Sequence, residues 1–186
     1  MTHRTLWPNI LTGLRFALIP LLVLLLSLEQ TTSMAFWAWF VFAFAAFTDW
    51  LDGYLARKFE CESVFGKLMD PLADKLLVTA SLLMLIPLDR IPAWVCLLVI
   101  GREIFITGIR GLAASMNKVV AADNLGKIKA NFQYYGIGFL IFPVGVLPIP
   151  YQHQFGIALI WLSIVMSLWS AANYTYQLRD IFVEES

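Results

Sequence analysis

Residues 34–56 read MAFWAWFVFAFAAFTDWLDGYLA, an apolar run that meets two aspartates, Asp49 and Asp52, before it ends. A stretch of about 20 predominantly apolar residues is long enough to cross the hydrocarbon core of a bilayer as an α-helix. Ionised carboxylates within such a stretch are costly and usually face a bundle interior or a water-filled cavity. The segment therefore predicts a membrane-spanning helix that carries a polar site at one end.

The chain as a whole has the same apolar character. Of its 186 residues, 60% are hydrophobic and 14% are charged, the mean hydropathy is +0.74, and the formal net charge is zero. Because a typical soluble domain has about a quarter charged residues, this composition argues against an ordinary soluble domain and excludes a disordered chain or a coiled coil. The balanced charge gives no reason to expect nucleic acid as a partner. The two cysteines, Cys61 and Cys96, lack the spacing of a disulfide framework or a zinc site.

Apolar stretches joined by short connections predict an all-α integral membrane bundle of six transmembrane helices. We expect one domain over residues 1–186, with a short interfacial segment at the N-terminus. Lys and Arg near the span ends gather on one side, and Arg90 is the only such residue in the opposite connections. Because basic residues favour cytoplasmic loops, both termini and the polar site should face the cytoplasm at an inner membrane. The predicted spans cover residues 10–28, 34–56, 67–86, 92–116, 127–147 and 154–176.

Four aspartates occupy facing positions on spans 2 and 3. Asp49 and Asp52 are three residues apart and Asp70 and Asp74 are four apart, so each pair shares a helix face. Two like charges 4 Å apart repel by about 4 kcal/mol at an effective dielectric of 20, so the cluster needs protonation or a cation. Oxygen ligands select hard ions such as Mg²⁺, Mn²⁺ or Ca²⁺, and two divalent ions would balance four carboxylates. This reasoning predicts a metal-binding cavity, but it does not choose which aspartate acts as a base.

Glycines and an arginine complete the pattern Asp49-x2-Asp52-Gly53-x2-Ala56-Arg57-x8-Gly66-x3-Asp70-x3-Asp74. It resembles the signature of the CDP-alcohol phosphotransferases, which transfer a substituted phosphoryl group from a CDP-linked alcohol to a second alcohol and release CMP. The resemblance implies a homodimer and Mg²⁺ or Mn²⁺, as two ions, held by the four aspartates. It also implies that Asp74 is the general base. The CDP pocket would be lined by Asp52, Gly53, Ala56, Arg57 and Gly66.

Polar residues in spans 4 and 5 bear on the acceptor. Glu103, Thr107 and Arg110 form one helical stripe, and Lys129 and Gln133 share a face of span 5. An acceptor that carries a phosphate group needs such cations near the aspartates, whereas a neutral acceptor does not. Arg102, next to Glu103 near mid-span, is expected to form a structural ion pair. The predicted phosphate-binding residues are Arg110, Lys127, Lys129 and Gln133.

Residues 8–15, 101–110 and 125–129 resemble the phosphatidylglycerophosphate synthase branch of the same family. That resemblance adds Asn9 and Thr12 to the CDP site. It implies CDP-diacylglycerol as donor and sn-glycerol 3-phosphate as acceptor. A cardiolipin or phosphatidylinositol-phosphate synthase with the same donor is the alternative. In other classes, a divalent-cation transporter predicts acidic residues at several depths and a repeat, and a scaffold leaves the aspartate spacing unexplained.

Overall fold

A computed structural model describes residues 6–59, 64–115, 124–146 and 149–177. This part of the chain is all-helical and contains no strand, which confirms the predicted all-α class. Each helix coincides with one predicted span. The helices are α1 (Leu6–Ser27), α2 (Thr32–Phe59), α3 (Val64–Leu85), α4 (Ala93–Ser115), α5 (Asn124–Ile141) and α6 (Gln152–Gln177).

Membrane character is concentrated in part of these helices. Two of them, over Thr32–Leu51 in α2 and Gln152–Asn173 in α6, are long and apolar enough to cross a membrane, and a shorter apolar helix covers Thr12–Ser27. Large side chains such as Leu97 and Trp169 are exposed on the outside, as expected for a surface that meets lipid. In α3 and α4, charged side chains such as Asp74 and Arg102 interrupt the run of apolar residues.

Two helix ends differ clearly from the ends of the predicted spans. The helix α1 already begins at Leu6, four residues before the predicted span, so Pro8 lies in its first turn. Proline is tolerated in a first helical turn because the N–H it lacks would have no partner there. The helix α5 ends at Ile141 instead of residue 147. Pro143 disfavours helix for the residue before it, and the chain then turns at Gly145, which has a φ of 85°.

The apolar core is shared by all six helices, with buried side chains from each. The helix α1 packs on α2 and α3, α5 packs on α2, α3 and α6, and α4 packs on α3 and α6. Leu22, Leu77, Leu82, Ile137 and Ile160 are completely buried among these helices. The apolar core continues to polar contacts toward the N-terminal ends of α1, α3 and α5.

Side chains cap the opposite end of α5. The last carbonyls of a helix have no partner within it. Arg90 Nη1 donates to the carbonyls of Leu140 at 2.7 Å and Ile141 at 2.9 Å. Gln152 Nε2 donates to the carbonyl of Phe142 at 3.0 Å. The α3–α4 connection and the start of α6 therefore lie beside the C-terminal end of α5, away from the aspartates.

Candidate active site

Two polar side chains of α1 contact two of the predicted metal ligands. The hydroxyl of Thr12 donates to Asp70 Oδ1 at 2.5 Å, and Arg15 Nη1 lies 2.9 Å from Asp49 Oδ1. Thr12 and Arg15 are three residues apart, so they share one face of α1, and both are buried, with 1% and 0% of their surface exposed. Thr12, predicted in the CDP pocket, thus reaches the aspartate cluster directly.

The third described aspartate has a partner on α5. The hydroxyl of Tyr134 donates to Asp74 Oδ1 in a very short contact. The Tyr134 ring packs on Phe42 of α2, with ring centroids 5.9 Å apart. The sequence did not identify Tyr134 as a site residue, although it directly follows Gln133, which was predicted to bind the acceptor phosphate. Each of Asp49, Asp70 and Asp74 therefore meets a polar side chain from another helix.

The three carboxylates are close enough to influence one another. Asp49 interacts electrostatically with both Asp70 and Asp74, as well as with Arg15. Three carboxylates and one guanidinium leave this cluster net negative when all are ionised. Carboxylate oxygens are the kind of atom that hard divalent cations prefer. The Nε and Nη2 atoms of Arg15 have no hydrogen-bond partner in the described structure.

The structure describes the side chains of three of the four predicted metal ligands. Among the side chains that the structure describes, no three acidic, histidine or cysteine groups are gathered as a complete metal site. Asp52, the fourth predicted ligand, lies outside the described side chains. So do the other predicted residues Asn9, Gly53, Ala56, Arg57, Gly66 and Lys127.

A cavity of about 250 Å³ adjoins Asp74 and is walled mainly by α3, α4 and α5. Its lining includes Arg110, Lys129 and Gln133, three of the four residues predicted to bind an acceptor phosphate. Pockets for drug-sized ligands measure roughly 300–1,000 Å³, so this cavity suits a smaller molecule. The fold thus brings the predicted base and three of the predicted phosphate-binding residues to one small space.

Glu103 forms ion pairs with two of the cationic side chains that line this cavity. Its Oε1 lies 2.6 Å from Arg102 Nη1 and also contacts Lys129 Nζ. Arg102 Nε and Nη2 donate to the carbonyl of Ser167 in α6 at 3.2 and 3.1 Å. Lys129 Nζ is also 3.3 Å from Ser167 Oγ. Arg102 forms the predicted ion pair with its neighbour Glu103. Lys129 also pairs with Glu103, which its spacing in the sequence did not indicate.

A further cation, Lys75, was missed by sequence analysis. It follows Asp74 in α3, is half-buried, and lines the same cavity. Its Nζ donates to Thr107 Oγ1 of α4 in a very short contact. Thr107 Oγ1 in turn donates to the carbonyl of Glu103 at 2.7 Å. Its position directly after Asp74, the last aspartate of the signature, could have identified it from the sequence.

An apolar groove runs between α2 and α5 on the other side of Tyr134. It has a volume of about 480 Å³ and is lined by Trp39, Phe42, Gly138 and Phe142 among others. Tyr134 borders both this groove and the polar cavity. The two spaces therefore meet at the side chain that touches Asp74.

Comparison with known proteins gives relatives over nearly the whole chain. The profile of the CDP-alcohol phosphatidyltransferase family matches residues 5–169. The CDP-diacylglycerol–glycerol-3-phosphate 3-phosphatidyltransferase of Bacillus subtilis (strain 168) is 35% identical over 181 residues, 90% of this chain and 92% of the relative. The protein of the same name from Shigella flexneri serotype 5b is 35% identical over 184 residues, 96% of this chain and 97% of the relative. A rice protein named cardiolipin synthase (CMP-forming) is 36% identical over 194 residues, 95% of this chain and 58% of the relative.

Proposed function

The chain belongs to the CDP-alcohol phosphatidyltransferase family, and we propose that it transfers a phosphatidyl group from CDP-diacylglycerol to sn-glycerol 3-phosphate. The products are phosphatidylglycerophosphate and CMP. The names of the bacterial relatives support this donor and acceptor. The observation that carries the proposal is the small cavity whose lining includes Asp74 together with Lys75, Arg102, Arg110 and Lys129. An anionic, phosphate-bearing acceptor suits such a wall, whereas a neutral alcohol does not need it.

In the proposed reaction, Asp74 is the general base. Its carboxylate takes the proton from the acceptor hydroxyl, and that oxygen attacks the phosphorus that bears diacylglycerol. The bond from this phosphorus to the CMP oxygen breaks, and CMP leaves. Tyr134 donates to Asp74 Oδ1 and so orients the carboxylate, whose other oxygen can accept the proton. A positioned base of this kind contributes roughly 10²–10⁴-fold to a rate.

The donor's diphosphate is held at the aspartate cluster. Asp49, Asp52, Asp70 and Asp74 would bind Mg²⁺ or Mn²⁺, as two ions, which would stabilise negative charge on the diphosphate and the departing CMP. Thr12 fixes Asp70 and Arg15 fixes Asp49. The CDP pocket would be completed by Asn9, Gly53, Ala56, Arg57 and Gly66. An acyl chain of the donor fits the apolar character of the groove between α2 and α5.

The proposed setting is a bacterial inner membrane crossed by six helices. The apolar lengths of α1, α2 and α6 support this arrangement, and the basic residues near the N-terminal ends of α1, α3 and α5 favour a cytoplasmic active site. The whole chain acts as one domain. A homodimer follows from the resemblance to the family alone.

The deciding experiment measures CMP released by the purified protein in detergent with CDP-diacylglycerol and Mg²⁺. We expect release only when glycerol 3-phosphate is added, and none after EDTA treatment. Restoring Mg²⁺ or Mn²⁺ should restore activity. Release that persists with excess EDTA would contradict the metal assignment, and release without any acceptor would contradict the transfer reaction.

A second candidate is cardiolipin synthesis, which the rice relative favours. It uses the same donor, with phosphatidylglycerol as acceptor. Offering the two acceptors separately distinguishes them, because phosphatidylglycerol presents its phosphate as a diester with two acyl chains. Preferential release of CMP with phosphatidylglycerol would keep the aspartate mechanism and replace the acceptor.

A further inference from the structure

The cations of the polar cavity differ in what neutralises them. Arg102 and Lys129 share the carboxylate of Glu103, and Arg102 also donates to the Ser167 carbonyl. These contacts anchor both side chains to the wall between α4, α5 and α6. Lys75 is different, because the contact made by its ammonium group in the described structure is to a neutral hydroxyl.

The position of the Lys75 ammonium group is set by Thr107. The single hydroxyl proton of Thr107 goes to the carbonyl of Glu103 one turn earlier, at 2.7 Å. Its oxygen therefore turns lone pairs toward Lys75 and accepts from Nζ. An ammonium group has three N–H donors, so one bond to Thr107 leaves two donors for a ligand.

The location of this group matches the needs of a small anionic acceptor. Lys75 and Asp74 are consecutive in α3, and both line the cavity of about 250 Å³. A phosphate group bound at Lys75 would therefore hold the rest of a short acceptor beside the proposed base. Charge-assisted hydrogen bonds to phosphate are about twice as strong as neutral ones.

We propose that Lys75, positioned by Thr107, binds the phosphate group of the acceptor and sets the preference of this site for a phosphorylated small alcohol. The inference rests on the proposed function and adds a ligand to it. Lys75 contacts the substrate, and Thr107 acts through Lys75 as a positioning residue. The anchored Lys129 then shapes the wall and stabilises Glu103, with less share in the affinity for the acceptor.

The test compares Lys75→Met with wild type in steady-state assays and in binding. Lys75→Met should raise the KM for glycerol 3-phosphate roughly tenfold or more, because a hydrogen bond to a charged group is lost, and leave the KM for CDP-diacylglycerol unchanged. The rise in Tm that glycerol 3-phosphate causes without donor should disappear in this variant. Thr107→Val should raise the same KM by about threefold.

Thr175→Val is the matched control for Thr107→Val. The hydroxyl of Thr175 donates to the carbonyl of Ala171 at 2.9 Å, the same bond one turn back, but it lies outside the polar cavity. An unchanged KM for glycerol 3-phosphate in Lys75→Met would overturn the proposal. So would an equal loss for donor and acceptor, which indicates damage to the neighbouring Asp74. A wild-type protein that does not use glycerol 3-phosphate would instead refute the proposed function itself.

Discussion

Arg15 and Tyr134 show how single residues complete the aspartate cluster. Arg15 is completely buried and lies 2.9 Å from Asp49. A buried charge without a partner is very costly, so Arg15 requires Asp49, whose own side chain is 36% exposed. Tyr134 is neutral and acts through its hydroxyl, which holds one oxygen of Asp74. One residue therefore balances charge in the cluster, and the other fixes the orientation of the proposed base.

Replacing Tyr134 by Phe removes this hydroxyl and keeps the aromatic contact with Phe42. We expect kcat to fall by about tenfold, because a hydrogen bond to a charged group is lost, with little change in the KM for glycerol 3-phosphate.

Asp74→Asn should lower kcat by roughly 10²–10⁴-fold, because the proposed general base is removed. CMP release under saturating donor and acceptor measures both effects.

Tyr151→Phe is the control for Tyr134→Phe, because Tyr151 is an exposed tyrosine in the α5–α6 connection. It should behave as wild type. A Tyr134→Phe protein with the kcat of wild type would show that the contact with Asp74 has no role in catalysis.

At the scale of helices, α5 and α6 approach each other through two glycines. A Cβ atom added to Gly136 would lie 2.8 Å from Ile160 Cδ1 and 3.0 Å from the carbonyl oxygen of Gly156. A Cβ atom added to Gly156 would lie 3.0 Å from Leu140 Cδ2. Small residues let helix backbones pack closely in membrane proteins. This contact also fixes α5, which carries Lys129, Gln133 and Tyr134 into the site.

The substitution Gly136→Val should therefore force α5 away from α6. Overpacking of this kind costs about 1–3 kcal/mol, and each kcal/mol lowers Tm by roughly 2–4 °C in a domain of this size. Thermal unfolding in detergent measures the change. Gly101→Val is the matched control, since a Cβ atom at Gly101 meets nothing within 4 Å. If both variants lowered Tm equally, close packing of α5 and α6 would not be the cause.

At the scale of the whole molecule, the helices alternate in direction and separate two ends. One end holds Asp74, Arg110 and the start of α5, and the other holds the Arg90 cap and the α5–α6 connection. In the sequence, most Lys and Arg residues near the helix ends belong to this side, and Arg90 is the only one in the opposite connections. The positive-inside rule then predicts that this end faces the cytoplasm.

This orientation can be tested by labelling single cysteines in a background with Cys61→Ser, in which the buried Cys96 is retained. Val146→Cys, at the opposite end, should react with a membrane-impermeant maleimide in intact spheroplasts. Ser115→Cys should react only after the membrane is permeabilised. Both positions are exposed in the structure, and labelling in denaturant controls for reactivity. The reverse pattern would overturn the orientation.

The sequence by itself determined the helices and the spacing of the aspartates. Both are local properties: apolar length defines each helix, and intervals of three or four residues place Asp49 with Asp52 and Asp70 with Asp74. The same reasoning grouped Arg110, Lys129 and Gln133, because helical stripes and short connections constrain which faces meet. It failed at the end of α5, where the local effect of Pro143 was overlooked.

Only the tertiary structure decided which side chains complete the site. Thr12 meets Asp70 across 58 residues of sequence, Tyr134 meets Asp74 across 60, and Lys75 meets Thr107 across 32. Such pairs depend on the rotation and depth of each helix against its neighbours. Periodicity gives the face of a helix but not its rotation against a particular partner. The physical reason is that packing of the apolar core, summed over all the helices, sets those rotations, and the polar contacts follow from them.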